Sequence, residues 1–368
     1  MLLVIEKSLE PAIATACQAP IPQLRAITHL LQSHADSNHI VVAPPSICRI
    51  WEDCGRLSEE QRGIAKKIRA RYSELAALQS IVPVYGLISD SGTHPVKVNN
   101  FWSIPLQWIA AHGLSSTHLV CEDLYDCSLF KEAARDYLGV NSLDRLSLAI
   151  ENIPGGGGNT HRLLSDKAIT NQRVTVCIVD SDRDEPSGTS AFGATAAKCL
   201  SVSGPGLYEV STTPGRELEN HLPARLIDKI RQLWDGLPPS QRRSQLSAIS
   251  PDIPVFADYK SGLKLREFDH FKGPSSNFWS SVLPQLATGL KNCCPVGCTA
   301  TTNGGCKTTV IHPLGNALLK DACAYLQQNS SDRARHKKYL PSQGDEGWLA
   351  MGAIVASYGL SVKIAATI

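Results

Sequence analysis

Apolar and polar positions alternate along this chain in two distinct manners. Up to about residue 110 the clearest period is helical. In Gly55–Ser80, Ile64, Ile68, Tyr72, Leu75 and Leu78 recur at helix spacing behind a Ser58/Gln61 capping-box start, and residues 23–33 predict a second helix. From Ser115 onward short apolar runs alternate with helical segments. Thr117–Cys121, Leu146–Ile150, Val174–Val179 and Leu207–Val210 read as buried strands. Cys127–Leu138, Arg162–Ala168 and Ala191–Leu200 read as helices between them. That order predicts an α/β fold with a central parallel sheet. The expected organisation is a mainly helical region with a few short strands over 1–114, an α/β domain over 115–225 and a mixed, cysteine-containing region over 226–368. Leu237–Ser244, with its paired prolines and arginines, reads as an exposed linker.

Length and composition narrow this picture. The 368 residues exceed one ordinary core, so two or three domains are expected, and 43% hydrophobic with 19% charged residues describes a globular chain. Thirty-six basic against 34 acidic residues leave +2, so no overall imbalance announces a nucleic-acid partner or excludes one. Met1–Glu6 lacks the basic start of an export signal, and the apolar run Leu349–Val362 is too short to span a bilayer. The expectation is a cytoplasmic protein with no membrane partner, whose 12 cysteines are reduced.

Candidate chemistry gathers at the strand ends, where parallel α/β sheets bind ligands. Glu122 directly follows the strand Thr117–Cys121, with Asp126 one helical turn on. Asp180, Asp182 and Asp184 follow Val174–Val179, and Gly155–Gly158 follow Leu146–Ile150. Crowded carboxylates either neutralise one another by protonation or bind a cation, and hard oxygen donors suit Mg²⁺ or Mn²⁺. If the segment is extended, Asp180 and Asp182 point the same way and can share one ion, with Glu122 closing the site from the neighbouring strand. The competing reading is a solvated acidic turn. A calcium loop fails, because Glu185 and Ala191 stand where its Gly and Glu belong. No phosphate-loop, dinucleotide, serine-elbow or His-Glu-x-x-His pattern occurs. Gly156 and Gly157 are instead expected to let backbone approach a phosphate or a nucleic-acid strand, against the plainer reading of a flexible turn.

Taken together, Leu119-Val120-Cys121-Glu122, the Gly-rich strand end and Val176-Cys177-Ile178-Val179-Asp180-Ser181-Asp182 resemble the TOPRIM domain of topoisomerases, bacterial primases and overcoming-lysogenization-defect (OLD) nucleases. Arg216-Glu217-Leu218-Glu219-Asn220-His221-Leu222 is similar to the Arg-Glu-Ile-Glu-Asn-Tyr-Leu run of OLD-type domains, and Lys272-Gly273 to their Lys-Gly segment. The sequence departs from that pattern at Asp123, where Gly is usual, and at His221, where Tyr is frequent. The resemblance implies a Mg²⁺- or Mn²⁺-dependent nuclease acting on nucleic acid, DNA first, by a two-metal mechanism. It implies Asp126, Asp180 and Asp182 on one ion, and Glu122 with Glu217 or Glu219 on the other. Glu122 is alternatively an acid or base, and Lys272 either stabilises phosphate charge or is an ordinary surface lysine. It further implies a separately encoded ATPase partner and a role in anti-phage defence. A primase-like nucleotidyl transferase, or a non-catalytic interaction module with a degenerate site, would carry the same residues.

Two groups lie outside that reading. Cys293, Cys294, Cys298 and Cys306, followed by His312, are either reduced buried thiols or the ligands of a structural Zn²⁺. The basic runs Lys66–Arg71 and Arg333–Lys338 are either solvated faces or phosphate contacts.

Overall fold

The computed structural model describes residues 1–18, 22–170, 173–287, 309–328 and 345–362. The chain divides into two units. The first comprises Met1–Ile178, Ser201–Ser211 and Leu349–Ile368, and the second Val179–Leu200 and Thr212–Trp348. These units cut across the three consecutive regions that the sequence pattern predicts.

The first unit holds a sheet that helical periodicity did not announce. Strands β1 (Leu2–Ile5), β2 (Ile40–Val42), β3 (Tyr85–Ser89), β4 (Val96–Val98) and β5 (Phe101–Pro105) are ordered β2-β1-β3-β5-β4, with only the β4–β5 pairing antiparallel. The region up to residue 114 is therefore itself α/β. The long helix expected over 55–80 is Glu59–Ala70, Tyr72–Ala76 and a 3₁₀ turn at Ala77–Ser80. Its capping box is present: the Ser58 hydroxyl accepts from the Gln61 amide at 3.2 Å, and the Gln61 side chain accepts from the Ser58 amide at 3.0 Å. The break falls at Arg71, whose amide bonds the Ile68 carbonyl and whose guanidinium grips Glu74 through two hydrogen bonds.

A second sheet uses β6 (Thr117–Cys121), β8 (Ile150–Pro154), β9 (Thr175–Val179) and β10 (Tyr208–Thr212), in the order β10-β9-β6-β8. β6 runs parallel to β8 on one side and to β9 on the other. Every residue of β6 and β9 is buried, as in central parallel strands covered on both faces, with Thr117, His118 and Thr175 buried alongside the apolar positions. The expected strand Leu146–Ile150 is two elements. β7 (Leu146–Leu148) pairs antiparallel with Leu360–Val362, and only from Ile150 does the chain join β6. The run Leu349–Val362 is thus the end of helix Glu346–Gly359 plus an edge strand. A Cβ at Gly352 would stand 2.2 Å from the Ala133 carbonyl oxygen, so this glycine permits close packing on helix Leu124–Val140. Among the described residues no helix is long and apolar enough to cross a membrane.

The second unit is mostly helical: Ala194–Leu200, Ala224–Ile230, Pro239–Ile249, Ile253–Phe256, Pro274–Ala287 and Leu318–Gln328, with Leu263–Lys264 pairing antiparallel to Thr309–Ile311. Trp234, Leu246, Ile253, Tyr259, Trp279 and Ile311 lie in its core. The linker expected at Leu237–Ser244 is instead a helix start. Pro239 occupies its first turn, where the absent N–H has no partner to lose, and Arg243 turns inward to donate to the carbonyls of Leu222, at 2.6 Å, and Asn220.

Candidate functional site

The strand order reverses between β6 and β9: β8 lies beyond β6 and β10 beyond β9. In open α/β sheets the crevice outside the carboxyl ends at such a reversal is where ligands bind. Glu122 is the residue after β6 and Asp180 the residue after β9.

Glu122 is held through its backbone. Its carbonyl accepts the amides of Gly156 and Gly157, each at 3.0 Å, and the preceding Cys121 carbonyl accepts that of Gly155 at 2.7 Å. Gly156 and Gly157 have φ of 76° and 62°, the left-handed region that glycine enters without penalty. Both amides are engaged, so these glycines position Glu122 rather than offer N–H groups to a phosphate. Asp123 and Asp126 form the capping box of helix Leu124–Val140. Asp123 Oδ1 accepts from Tyr125 N at 2.6 Å and Asp126 N at 3.1 Å, and Asp126 Oδ2 accepts from Asp123 N at 3.0 Å. The departure at Asp123 therefore has a structural use, and one Asp126 oxygen serves the helix start.

The remaining candidate carboxylates belong to the second unit, where three converge on Lys260. Its Nζ lies 3.2 Å from Glu219 Oε1, 3.5 Å from Glu217 Oε1 and 4.0 Å from Asp180 Oδ2. Asp180 Oδ1 accepts the Leu218 amide at 2.9 Å, tying the end of β9 to the 3₁₀ turn Leu218–His221. The turn is fixed from beneath by its own side chains. Asn220 donates to the carbonyls of Pro254 (2.9 Å) and Ala257 (2.8 Å) while accepting the Glu217 amide (3.1 Å). His221 Nε2 accepts the Gly215 amide at 2.8 Å, and burial, with Arg243 nearby, pushes its pKa down to about 3, so the ring is neutral. With Asn220 and His221 directed into the protein, Glu217 and Glu219 are left to face Lys260.

The electrostatics follow from burial. Desolvation, opposed by Lys260 and reinforced by Glu219, raises the Glu217 pKa from 4.5 to about 7. Burial disfavours the Lys260 ammonium, but Glu219, Glu217 and Asp180 outweigh it and raise its pKa. Glu217 Oε2 is buried with no hydrogen-bond partner among the described residues.

Asp182 does not share the extended geometry assumed for it. Its φ is 53°, and its amide bonds the Arg216 carbonyl at 2.9 Å. Its carboxylate folds back on the loop, where a Cβ at Gly193 would meet Oδ2 at 1.9 Å. The even spacing of Asp180 and Asp182 therefore does not put them on one face. Asp184 is tied to helix Pro274–Ala287, accepting from the Ser275 hydroxyl and, through its carbonyl, from Trp279 Nε1 at 2.8 Å. Lys272 is exposed and makes no ion pair among the described residues; the lysine that reaches the carboxylates is Lys260. Cys293, Cys294, Cys298, Cys306 and Arg333–Lys338 lie outside the described residues. His312, which is described, pairs with Asp235 at 3.2 Å.

Among the described residues, no three His, Cys, Asp or Glu side chains stand close enough to hold an ion as they are. The donor chemistry of the Lys260 cluster nevertheless fits a hard divalent cation. Three carboxylates against one ammonium leave a net charge of −2 when all are ionised, and the neighbouring Arg216 is balanced by Asp258 at 3.8 Å. Lys260 had no distinguishing pattern in the sequence. The one signal was its place two residues before Gly262, the same kind of Lys-near-Gly segment sought at Lys272. Comparison with family models, curated proteins and solved structures found no match to this chain.

Proposed function

We propose that this chain is a Mg²⁺- or Mn²⁺-dependent nuclease of TOPRIM type, resembling the OLD nucleases. The observation that carries the reading is the convergence of Asp180, Glu217 and Glu219 on one cation position directly after a buried parallel strand. A bound divalent ion would neutralise phosphate charge and lower the pKa of its water. Asp180 and Glu219 would hold it. Glu217, whose buried Oε2 has no hydrogen-bond partner among the described residues, would take the proton of the attacking water there. Lys260, released from the carboxylates, donates to the phosphate oxygen on which charge develops. The resemblance also gives Glu122 a part, which Glu122→Gln tests, and it carries the expectations of an ATPase partner and an anti-phage role.

The test is incubation of purified protein with plasmid, linear DNA and RNA, in Mg²⁺ or Mn²⁺ against EDTA. Metal-dependent cleavage lost in Asp180→Asn supports the nuclease. Synthesis that appears only with nucleoside triphosphates replaces it with the transferase. Absence of turnover on every substrate, without metal binding by calorimetry, leaves a binding module.

A further inference from the structure

The loop that begins at Asp180 ends in an exposed aromatic ring. Phe192 is 38% exposed, and the Arg183 guanidinium carbon lies 5.3 Å from its ring centroid. An exposed phenylalanine alone is ordinary. This one sits on a braced scaffold. Glu185, 1% exposed, accepts the amides of Ser187 (2.6 Å) and Ser190 (2.9 Å). Burial alone would raise its pKa, but hydrogen bonds from Ser187 and Ser190 hold it down to about 2, so it stays ionised. Gly193 donates to the Ser181 carbonyl at 3.0 Å, and Asp184 is bonded to Ser275 and Trp279. A Cβ at Gly188 would stand 3.0 Å from Arg183 Nη2, so the loop closes over the guanidinium. The Arg183 Nε is buried without a hydrogen-bond partner among the described residues.

We infer that Phe192 and Arg183 form a stacking platform for an unpaired nucleobase, so that the substrate of the neighbouring carboxylates is single-stranded nucleic acid or a frayed end. The inference rests on the nuclease reading for its substrate class. Every base has a π-face, and stacking on an aromatic ring needs no base-specific hydrogen bond. Arg183 covers one face of the ring as a cation and supplies positive charge for the adjoining phosphate. The ring's exposure leaves surface for the base. The bracing matters because a ring held in place loses little freedom on binding. The same loop carries Asp180 and Asp182, and the Asp182 carboxylate packs beside Phe192's neighbour Gly193. A base stacked on Phe192 therefore lies on the element that bears the candidate metal ligand.

The test uses the full chain in EDTA, so that binding is read without cleavage. Fluorescence anisotropy measures affinity for a labelled thymidine oligonucleotide and for the same strand made abasic. Wild type should bind the base-bearing strand more tightly. Phe192→Ala should weaken that binding about tenfold or more while leaving the abasic affinity unchanged, and Phe192→Trp should restore it. Equal affinity of Phe192→Ala and wild type, equal loss on the abasic strand, or no binding by wild type overturns the platform. Plasmid cleavage in Mn²⁺, run in parallel, separates the two readings. Asp180-dependent cleavage with Phe192-independent binding removes the platform alone, and Phe192-dependent binding without cleavage removes the nuclease alone.

Discussion

Replacing Glu217 with Gln should stabilise the protein above neutral pH while abolishing metal-dependent cleavage. Glu217 is 8% exposed, and its pKa rises from 4.5 to about 7, chiefly through burial. A carboxylate raised in the folded state binds its proton more tightly there than in the unfolded chain. Its contribution is therefore intact below about pH 4.5 and is lost as pH climbs through about 7. The shift corresponds to about 3 kcal/mol, and solvent screening takes little from it at this burial. Glutamine carries no such charge, so Glu217→Gln removes the loss and flattens the pH dependence. The measurement is urea unfolding in EDTA at about pH 5 and about pH 8. Wild type should lose stability relative to the variant between the two, by roughly 2.5 kcal/mol, since part of the shift is already lost at pH 5. Added Mn²⁺ should recover part of that difference for wild type and little for the variant, since an ion held by Asp180 and Glu219 also stabilises the ionised Glu217 beside it. Parallel pH profiles for the two proteins would refute the reasoning, because they would mean that Glu217 ionises without penalty in the fold.

Three further outcomes follow from named contacts. Asn220→Ala leaves two buried carbonyls and one amide without their partner, at about 1–3 kcal/mol each before relaxation, and should lower stability by roughly 2–4 kcal/mol in urea with an unchanged m-value; a loss under about 1 kcal/mol would show that the turn is held otherwise. Lys260→Met removes the cation that competes for the carboxylates, so Mn²⁺ should bind at least as tightly by calorimetry while cleavage falls about 10²-fold, and parallel loss of binding and cleavage would assign Lys260 a merely structural part. His221→Tyr puts a larger ring against Gly347, where even a Cβ would stand 2.1 Å from His221 Nδ1, and should cost about 1–3 kcal/mol of stability by thermal melting.

What could be read from the sequence depended on whether a residue's partner was near in the chain. β6 and β9 are legible because burial on both faces leaves the unbroken apolar stretches Leu119–Cys121 and Val176–Val179, and the helix after Asp123 because its period is unbroken. The Ser58 capping box is local chemistry and was read directly. The five-stranded sheet at the amino end was not. Its strands run three to five residues, and β1 finds its partners at Ile40 and Gly86, so no local period marks them. The break of 146–154 into β7 and β8 is likewise set by Leu360–Val362, far along the chain. Asp182 looked extended because it alternates with Asp180, but its amide is drawn to Arg216 and its backbone turns left-handed. Lys260 was invisible for the same reason: a lysine is ordinary until tertiary structure surrounds it with carboxylates.

The run Arg216–Leu222 shows how much of a catalytic-looking motif is scaffolding. Of its polar side chains, Asn220 and His221 bond backbone groups of Gly215, Glu217, Pro254 and Ala257, and the Asn220 and Leu222 carbonyls anchor Arg243. A short 3₁₀ turn whose inner face is so occupied has one orientation open to its outer carboxylates, and that orientation crowds Glu217 and Glu219 together out of water. Crowding them is unfavourable in itself, as the raised Glu217 pKa records. A fold that needed only a stable turn would gain by replacing either glutamate with an apolar or amide side chain, since one lysine offsets three carboxylates only in part. On the proposed nuclease reading, that cost is offset when a divalent cation binds, and until then Lys260 holds the carboxylates in position.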